Sequence, residues 1–216
     1  MAKTYTREEF VKEYGPYISM ATKGTGILPG TLIAQAIIES QGKVNGSYRV
    51  GGSTLSQEAN NYFGIKCHGW SGRGYNIDTR EQTSSGQNYI EKSACFRAYN
   101  SVEDSIDDYI QFLQNNSNYQ RAGVFEADTV RLQAEALKRA GYATDVNYAN
   151  TVTKVYEQVS GYVDKYSRYG IKGIWKSFWN SPKSFVKRNK TAFIGLGILG
   201  VSASLAVYGI IKYNKR

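Results

Sequence analysis

Leu28-Pro-Gly-Thr-Leu-Ile-Ala-Gln-Ala-Ile-Ile-Glu-Ser40 reads as an apolar helix that ends on a single carboxylate, Glu39, with no basic residue near it in sequence. A carboxyl held against Ile, Leu and Ala side chains loses hydration, which disfavours its charged form and raises its pKa toward the range of a proton donor. At the end of an ordinary surface helix the same residue would be a solvated charge, because Glu is seldom buried without a partner. The segments on either side decide between the two readings.

Upstream, Thr6-Arg-Glu-Glu9 has the form of a capping box that opens a first helix, and Gly24 to Gly30, with Pro29, forms the turn into the Glu39 helix. Downstream, Ser101-Val-Glu-Asp104 opens a third helix, whose Ile106, Tyr109, Ile110 and Leu113 recur at i, i+3, i+4 and i+7 and belong to the core. A fourth helix runs from about Asp128 to Ala140 and stops at Gly141, and a fifth begins near Asp145 and turns Tyr148, Val152, Val155 and Val159 inward. Between Gly64 and Tyr99 the chain becomes rich in Gly, Ser, Thr, Asn and Tyr. There Tyr75, Ile77 and Thr79 alternate before a polar turn at Ser84-Ser-Gly86, which predicts a β-hairpin lobe inserted between helices. The expected fold is therefore α+β, mainly helical.

Charge divides the chain unevenly. Residues 1–163 carry 16 Lys and Arg against 17 Asp and Glu, whereas residues 164–216 carry 11 against 1. A basic tail on a near-neutral domain points to an anionic surface, either lipid headgroups or nucleic acid. The run from Ala192 to Ile211 decides for lipid, because its 20 positions hold no charged residue. At about 1.5 Å per residue it spans roughly 30 Å, the thickness of a bilayer's hydrocarbon core. Trp175, Phe178 and Trp179 among lysines and arginines precede it, as expected of an amphipathic interfacial segment.

The predicted organisation is a domain over residues 1–163, a basic amphipathic segment over 164–191, a transmembrane helix over 192–211 and a short basic tail over 212–216. Gly195-Leu-Gly-Ile-Leu-Gly200 matches a dinucleotide-binding glycine pattern only formally, since no strand precedes it and no acidic residue follows. The N-terminus lacks the apolar core of a secretion signal, and the excess of Lys and Arg before residue 192 predicts an N-terminal domain synthesised on the cytoplasmic side. Nucleic acid is the lesser expectation, as no recognition motif interleaves the basic residues.

Gly26-Ile-Leu-Pro29 leading to Ile33-Ala-Gln-Ala-Ile-Ile-Glu-Ser40, then Asn60-Asn-Tyr-Phe-Gly-Ile-Lys66, Phe96-Arg-Ala-Tyr99 and Ala140-Gly-Tyr-Ala-Thr-Asp145, resembles the N-acetylglucosaminidases of the flagellar-rod and autolysin type, glycoside hydrolase family 73. The resemblance extends over roughly residues 5–163 and is carried by the ordered set of motifs rather than by any single one. It implies a lysozyme-like domain that cuts the β-1,4 bond after N-acetylglucosamine in peptidoglycan. By motif, Glu39 takes the general-acid position and Tyr142 that of the active-site tyrosine. Glu81, in Thr79-Arg-Glu81, is the candidate second carboxylate, with Asp78 and Glu91 as neighbouring competitors. Assistance from the substrate's own 2-acetamido group is the other route. After Glu39-Ser40 the family continues with Gly-Trp-Gly, whereas this chain has Gln41-Gly-Lys43 and then a Gly/Ser-rich loop to Ser56.

The candidate substrate-binding residues are Asn61, Phe63, Trp70 and Tyr148, with Trp70 the residue expected to stack on a sugar ring. Cys67 and Cys95 bracket the hairpin lobe and can bridge its base in an oxidising compartment, reduced thiols being the alternative before release from the cytoplasm. With His68 they make at most three ligands at no recognisable spacing, so no metal or other cofactor is expected, and His68 is placed on the cleft rim. The whole predicts a membrane-anchored peptidoglycan hydrolase, with a phage as its expected source, on a virion membrane or the host inner membrane. A muramidase or lytic transglycosylase, and a non-catalytic peptidoglycan-binding protein, are the alternatives.

Overall fold

A computed structural model describes residues 2–82 and 87–180 of the chain, without the side chains of residues 80–82, 88 and 167–180. The first helix, α1 (Arg7–Ala21), opens on the expected capping box: the Glu9 amide donates to Thr6 Oγ1 at 3.1 Å and the Thr6 amide to Glu9 Oε2 at 2.7 Å. Its Phe10, Val11, Tyr14 and Ile18 fall on one face and are buried.

The quoted stretch is α2 (Pro29–Ser40), with Pro29 in its first turn, where a missing amide hydrogen costs nothing. Leu32, Ile33, Ala34, Ala36 and Ile37 have no exposed surface, so this helix is apolar on nearly every side and lies inside the core. Each such aliphatic side chain contributes about 1.5–3 kcal/mol by leaving water. Helix α2 is enclosed by α1, by α6 (Val130–Arg139) and by the long α7 (Tyr148–Asn180), whose Val152, Val155, Val159 and Val163 are buried.

The end of α2 is locked by the chain that returns after it. Ser40 Oγ donates to the Ala36 carbonyl at 2.6 Å and accepts from the Gly51 amide at 3.1 Å, while the Ser53 amide donates to the Ser40 carbonyl at 2.9 Å. The segment read from sequence as a loop is in fact a hairpin, β1 (Gly42–Val44) paired antiparallel with β2 (Ser47–Arg49), followed by α3 (Thr54–Ala59). Asn45 and Gly46 both have positive φ at its tip, as a two-residue hairpin turn requires. A Cβ added at Gly42 would stand 2.2 Å from the Gly52 carbonyl oxygen, so the glycine permits a backbone contact no other residue allows.

The predicted lobe is β3 (Gly74–Gln82) paired antiparallel with β4 (Asn88–Arg97), with a register shift between Ile77 and Thr79. Helices α4 (Val102–Asn115) and α5 (Ser117–Arg121) lead from it to α6, and the Ile106, Tyr109, Ile110 and Leu113 stripe of α4 is buried as expected. Among the described residues these elements make a helix-rich α+β, lysozyme-like fold with two small sheets. Helix α7 passes residue 163 without a break and continues to Asn180. Among the described residues no helix is long and apolar enough to cross a membrane; the run at 192–211 lies outside them, as do residues 181–191 and 212–216.

Candidate active site

Gln35 and Glu39 stand four residues apart on α2 and therefore on the same face. Gln35 is buried, and its Nε2 donates to the hydroxyls of Tyr109 on α4 and Tyr148 on α7, both at 2.7 Å. Phe63 stacks on the Tyr109 ring at 4.2 Å with the planes 7° apart. Tyr142, in the connection between α6 and α7, sets its ring edge-on to Tyr109 at 5.7 Å and tilted to Tyr148 at 5.8 Å. Its hydroxyl donates to the Phe63 carbonyl at 3.1 Å. Four separate parts of the chain thus converge on one aromatic layer at the end of α2.

Glu39 sits above that layer. The sequence predicted a buried carboxyl, and the correction is that solvent reaches it: Glu39 is exposed. Desolvation nevertheless pushes its pKa up to about 7 from the ordinary 4.5, and no cationic group pulls it back. Water reaches one side of this carboxyl while protein surrounds the rest, and the raised pKa follows from the latter. No hydrogen bond or ion pair engages Glu39 among the described residues. Its charge is near enough to contribute to the raised pKa of the Tyr142 and Tyr148 phenols, behind desolvation, which is the larger cause in both.

Asn61 does a different job from the sugar contact expected of it. It is buried, its Nδ2 donates to the Ile65 and Arg97 carbonyls at 3.0 and 2.9 Å, and its Oδ1 accepts from the Phe63 and Ile65 amides at 3.3 and 3.2 Å. With the amide fully engaged, Asn61 shapes the loop from Asn60 to Lys66 and fastens it to β4. Phe63 and Tyr148 are likewise buried and belong to the layer beneath Glu39 rather than to an open surface.

Trp70 is partly buried at the root of the lobe. Its Nε1 donates to the Arg73 carbonyl at 3.1 Å, and the Arg97 guanidinium covers its ring at 4.8 Å. Arg97 also donates to both Asp108 oxygens at 3.0 and 2.9 Å, and the Tyr99 hydroxyl donates to Asp108 at 2.7 Å. This nearly buried pair joins the lobe to α4. Cys67 and Cys95 are disulfide-bonded with Cα atoms 5.4 Å apart, and the adjacent Cys67 amide donates to the Cys95 carbonyl at 2.8 Å. His68 lies exposed in the turn that follows.

Among the candidates for a second carboxylate, Asp78 pairs with Lys92 and Glu91 with Lys66, each at 2.6 Å. Hydrogen bonds from Lys92 and the Ser93 amide hold the Asp78 carboxyl below its usual range, so it is an ionised partner rather than a free one. Glu81 pairs with Tyr89 across β3 and β4, and its side chain lies outside the described part of the structure. Among the described residues no group of His, Cys, Asp or Glu is placed to hold a metal ion.

Sequence reasoning passed over Gln35, Tyr109, Arg97 and Asp108. Gln35 carried a readable signal, since a lone amide one turn before the acid in an aliphatic helix needs buried partners. Tyr109 read as core, and its hydroxyl is the part the apolar stripe concealed. What the assembled groups can do is donate a proton: an unpaired carboxyl with a pKa near neutrality, held over a floor of ordered phenols.

The chain is similar to proteins of one family. A family model described as glucosaminidase, mannosyl-glycoprotein endo-beta-N-acetylglucosaminidase, matches residues 15–161. The peptidoglycan hydrolase FlgJ of Pseudomonas aeruginosa is 36% identical over 157 residues, 72% of this chain and 37% of that protein. The exo-glucosaminidase LytG of Bacillus subtilis is 33% identical over 135 residues, 61% of this chain and 44% of that protein. The glycoside hydrolase domain of Salmonella typhimurium FlgJ superposes with a TM-score of 0.52 at 27% identity, covering 79% of this chain and 99% of that one. The chain thus spans less than half the length of both curated relatives, 37% and 44%.

Proposed function

The chain belongs to the glucosaminidase family, glycoside hydrolase family 73, and from that premise we propose that it hydrolyses peptidoglycan at the β-1,4 bond following N-acetylglucosamine. The observation that carries the reading is Glu39: an unpaired carboxyl, pushed up to about 7 by desolvation, at the end of a helix whose position the core fixes. The names of the relatives, peptidoglycan hydrolase and exo-glucosaminidase, support the substrate class.

Protonated Glu39 gives its hydrogen to the glycosidic oxygen as the C1–O bond breaks, so the leaving sugar departs as an alcohol and positive charge develops at C1. Glu81 or the substrate's 2-acetamido oxygen then meets that centre. Tyr142, whose hydroxyl hydrogen is committed to the Phe63 carbonyl, offers its oxygen as an acceptor for the acetamido N–H and so orients that group. Water completes the reaction with Glu39, now ionised, as the base.

The proposal extends to the tail: residues 192–211 anchor the enzyme in a bilayer, with anionic headgroups held by the basic residues before them, in a virion membrane or the host inner membrane of a phage infection. Composition alone supports this part. Alkaline extraction of membranes from expressing cells tests it, and release of the full chain into the soluble fraction would contradict it.

The activity is tested by incubating the purified chain and its Glu39→Gln variant with peptidoglycan and identifying new chain ends by mass spectrometry. Reducing-end N-acetylglucosamine made by the wild type alone supports the reading. Reducing or anhydro N-acetylmuramic ends would assign the chain to the other bond, and absence of any Glu39-dependent product would remove it from catalysis.

A further inference from the structure

We infer that Cys67 and Cys95 form a redox switch on catalysis: the disulfide sets the β3–β4 lobe beside the site, and its reduction to two thiols loosens the lobe and slows turnover. The inference rests on the glycosidase reading and adds to it a requirement for an oxidising compartment.

The bridge stands between the floor of the site and the lobe. Cys67 follows the loop from Asn60 to Lys66, whose Phe63 stacks on Tyr109 and accepts the Tyr142 hydroxyl on its carbonyl. Cys95 lies on β4, and the strand paired with it, β3, carries Glu81. The loop and β4 have ties of their own. Asn61 fastens the loop to the Arg97 carbonyl, and the Arg97 guanidinium fastens β4 to Asp108 on α4.

Strand β3 is held differently. Among the described residues its side-chain hydrogen bonds, from Asn76 to Ser93 and at Asp78 from Lys92 and the Ser93 amide, stay within the lobe. Its sheet consists of β3 and β4 alone, and a two-stranded hairpin is marginally stable unless something braces it. The brace is at the first residue of the strand. A Cβ added at Gly74 would stand 2.7 Å from Cys95 Sγ and 3.4 Å from Cys67 Sγ, so β3 begins packed against both sulfurs with no room for a side chain. Parting the sulfurs disturbs that start and leaves the lobe to its own ladder.

Both cysteines are partly exposed, so thiols and disulfides in solution can reach them. Activation is thiol–disulfide exchange with a small-molecule or protein disulfide. One cysteine thiolate attacks the oxidant and expels a thiolate; the second cysteine then attacks the mixed disulfide and expels the other. The cysteines lose two electrons, the oxidant gains them, and the two protons end on the released thiols. Glu39 is outside the switch, since neither cysteine lies on α2, α4 or α7.

The test assays the full chain on soluble peptidoglycan fragments, well below its melting temperature, in three forms: oxidised, reduced with dithiothreitol, and Cys67→Ser/Cys95→Ser. Reduction should lower kcat/KM about 10- to 100-fold, the range expected when groups around a reacting centre lose their alignment. The alkaline limb of the pH profile should stay where it is, and oxidised glutathione should restore the rate. The double variant should sit at the reduced level and ignore dithiothreitol. Hydrogen exchange should quicken in β3 on reduction and stay slow in α2.

Equal turnover of the oxidised and reduced chains overturns the switch, as does a double variant as active as the oxidised chain. A shifted limb, or faster exchange throughout α2, also overturns it, because the loss then passes through the acid or through overall stability. If the double variant does not fold, the reduced wild type decides by the same outcomes. The oxidised chain separates the two levels. When it is active and reduction changes nothing, only the inference falls; when neither form yields a Glu39-dependent product, the glycosidase reading falls with it.

Discussion

Replacing Cys67 and Cys95 together by serine opens a covalent loop with a sequence separation of 28 at the root of the β3–β4 lobe. For a loop of that length, chain entropy alone makes the bond worth about 3–4 kcal/mol at 25 °C, through restriction of the unfolded chain. In a domain of this size each 1 kcal/mol corresponds to about 2–4 °C, so the melting temperature should fall by about 6–16 °C. The backbone hydrogen bonds beside the disulfide, Cys67 N to Cys95 O at 2.8 Å and Arg97 N to Ile65 O at 2.9 Å, survive the substitution. The loss should therefore appear as global destabilisation, with the lobe opening first. Scanning calorimetry gives the first quantity, and hydrogen exchange of the Cys67 and Arg97 amides gives the second. A fall of less than about 2 °C with unchanged exchange would mean that the lobe is held by its other contacts and that the loop-entropy argument does not apply here.

Other substitutions probe the remaining supports. Glu39→Gln should stabilise the fold at pH 8 and much less at pH 4. A carboxyl whose native pKa is about 7 against an ordinary 4.5 keeps its proton longer when folded, so the wild type loses stability as pH rises between those values while the amide does not; melting curves across that range check the sign. Asp108→Ala strands the Arg97 guanidinium, in a pair whose side chains are only 13% and 15% exposed, and should cost about 3–5 kcal/mol in denaturant unfolding. Gly42→Ala drives a Cβ to within 2.2 Å of a backbone oxygen and should destabilise by about 1–3 kcal/mol, with reduced activity because the same turn locks the end of α2; urea titration and turnover measured together test both parts.

Much of this architecture could be read in advance because several local signals agreed with the global packing. The capping box at Thr6, the Ser101 cap, the aliphatic run of α2 and the stripe of α4 each name both an element and its buried face. The small hairpin at Gly42–Arg49 was missed although Asn45-Gly46 is a strong turn signal, because strands of three residues leave almost no alternation to read. At the site, Glu39 and Tyr142 are legible as chemistry, whereas Gln35 and Tyr109 become visible only when residues 74 positions apart are brought within 2.7 Å. Asn61 shows the converse: a motif position that looks like a ligand contact turns out to saturate its amide on backbone. Periodicity reports burial, and it says nothing about which hydroxyl a buried amide will meet.

The central claim concerns one proton, and the titration of Glu39 in the folded chain tests it directly. Carbon-13 NMR of the side-chain carboxyl, assigned by its loss in Glu39→Gln, should give a midpoint near 7, coincident with the alkaline limb of kcat/KM on peptidoglycan. A midpoint near the ordinary 4.5, with turnover still rising above it, would contradict the assignment of Glu39 as the acid.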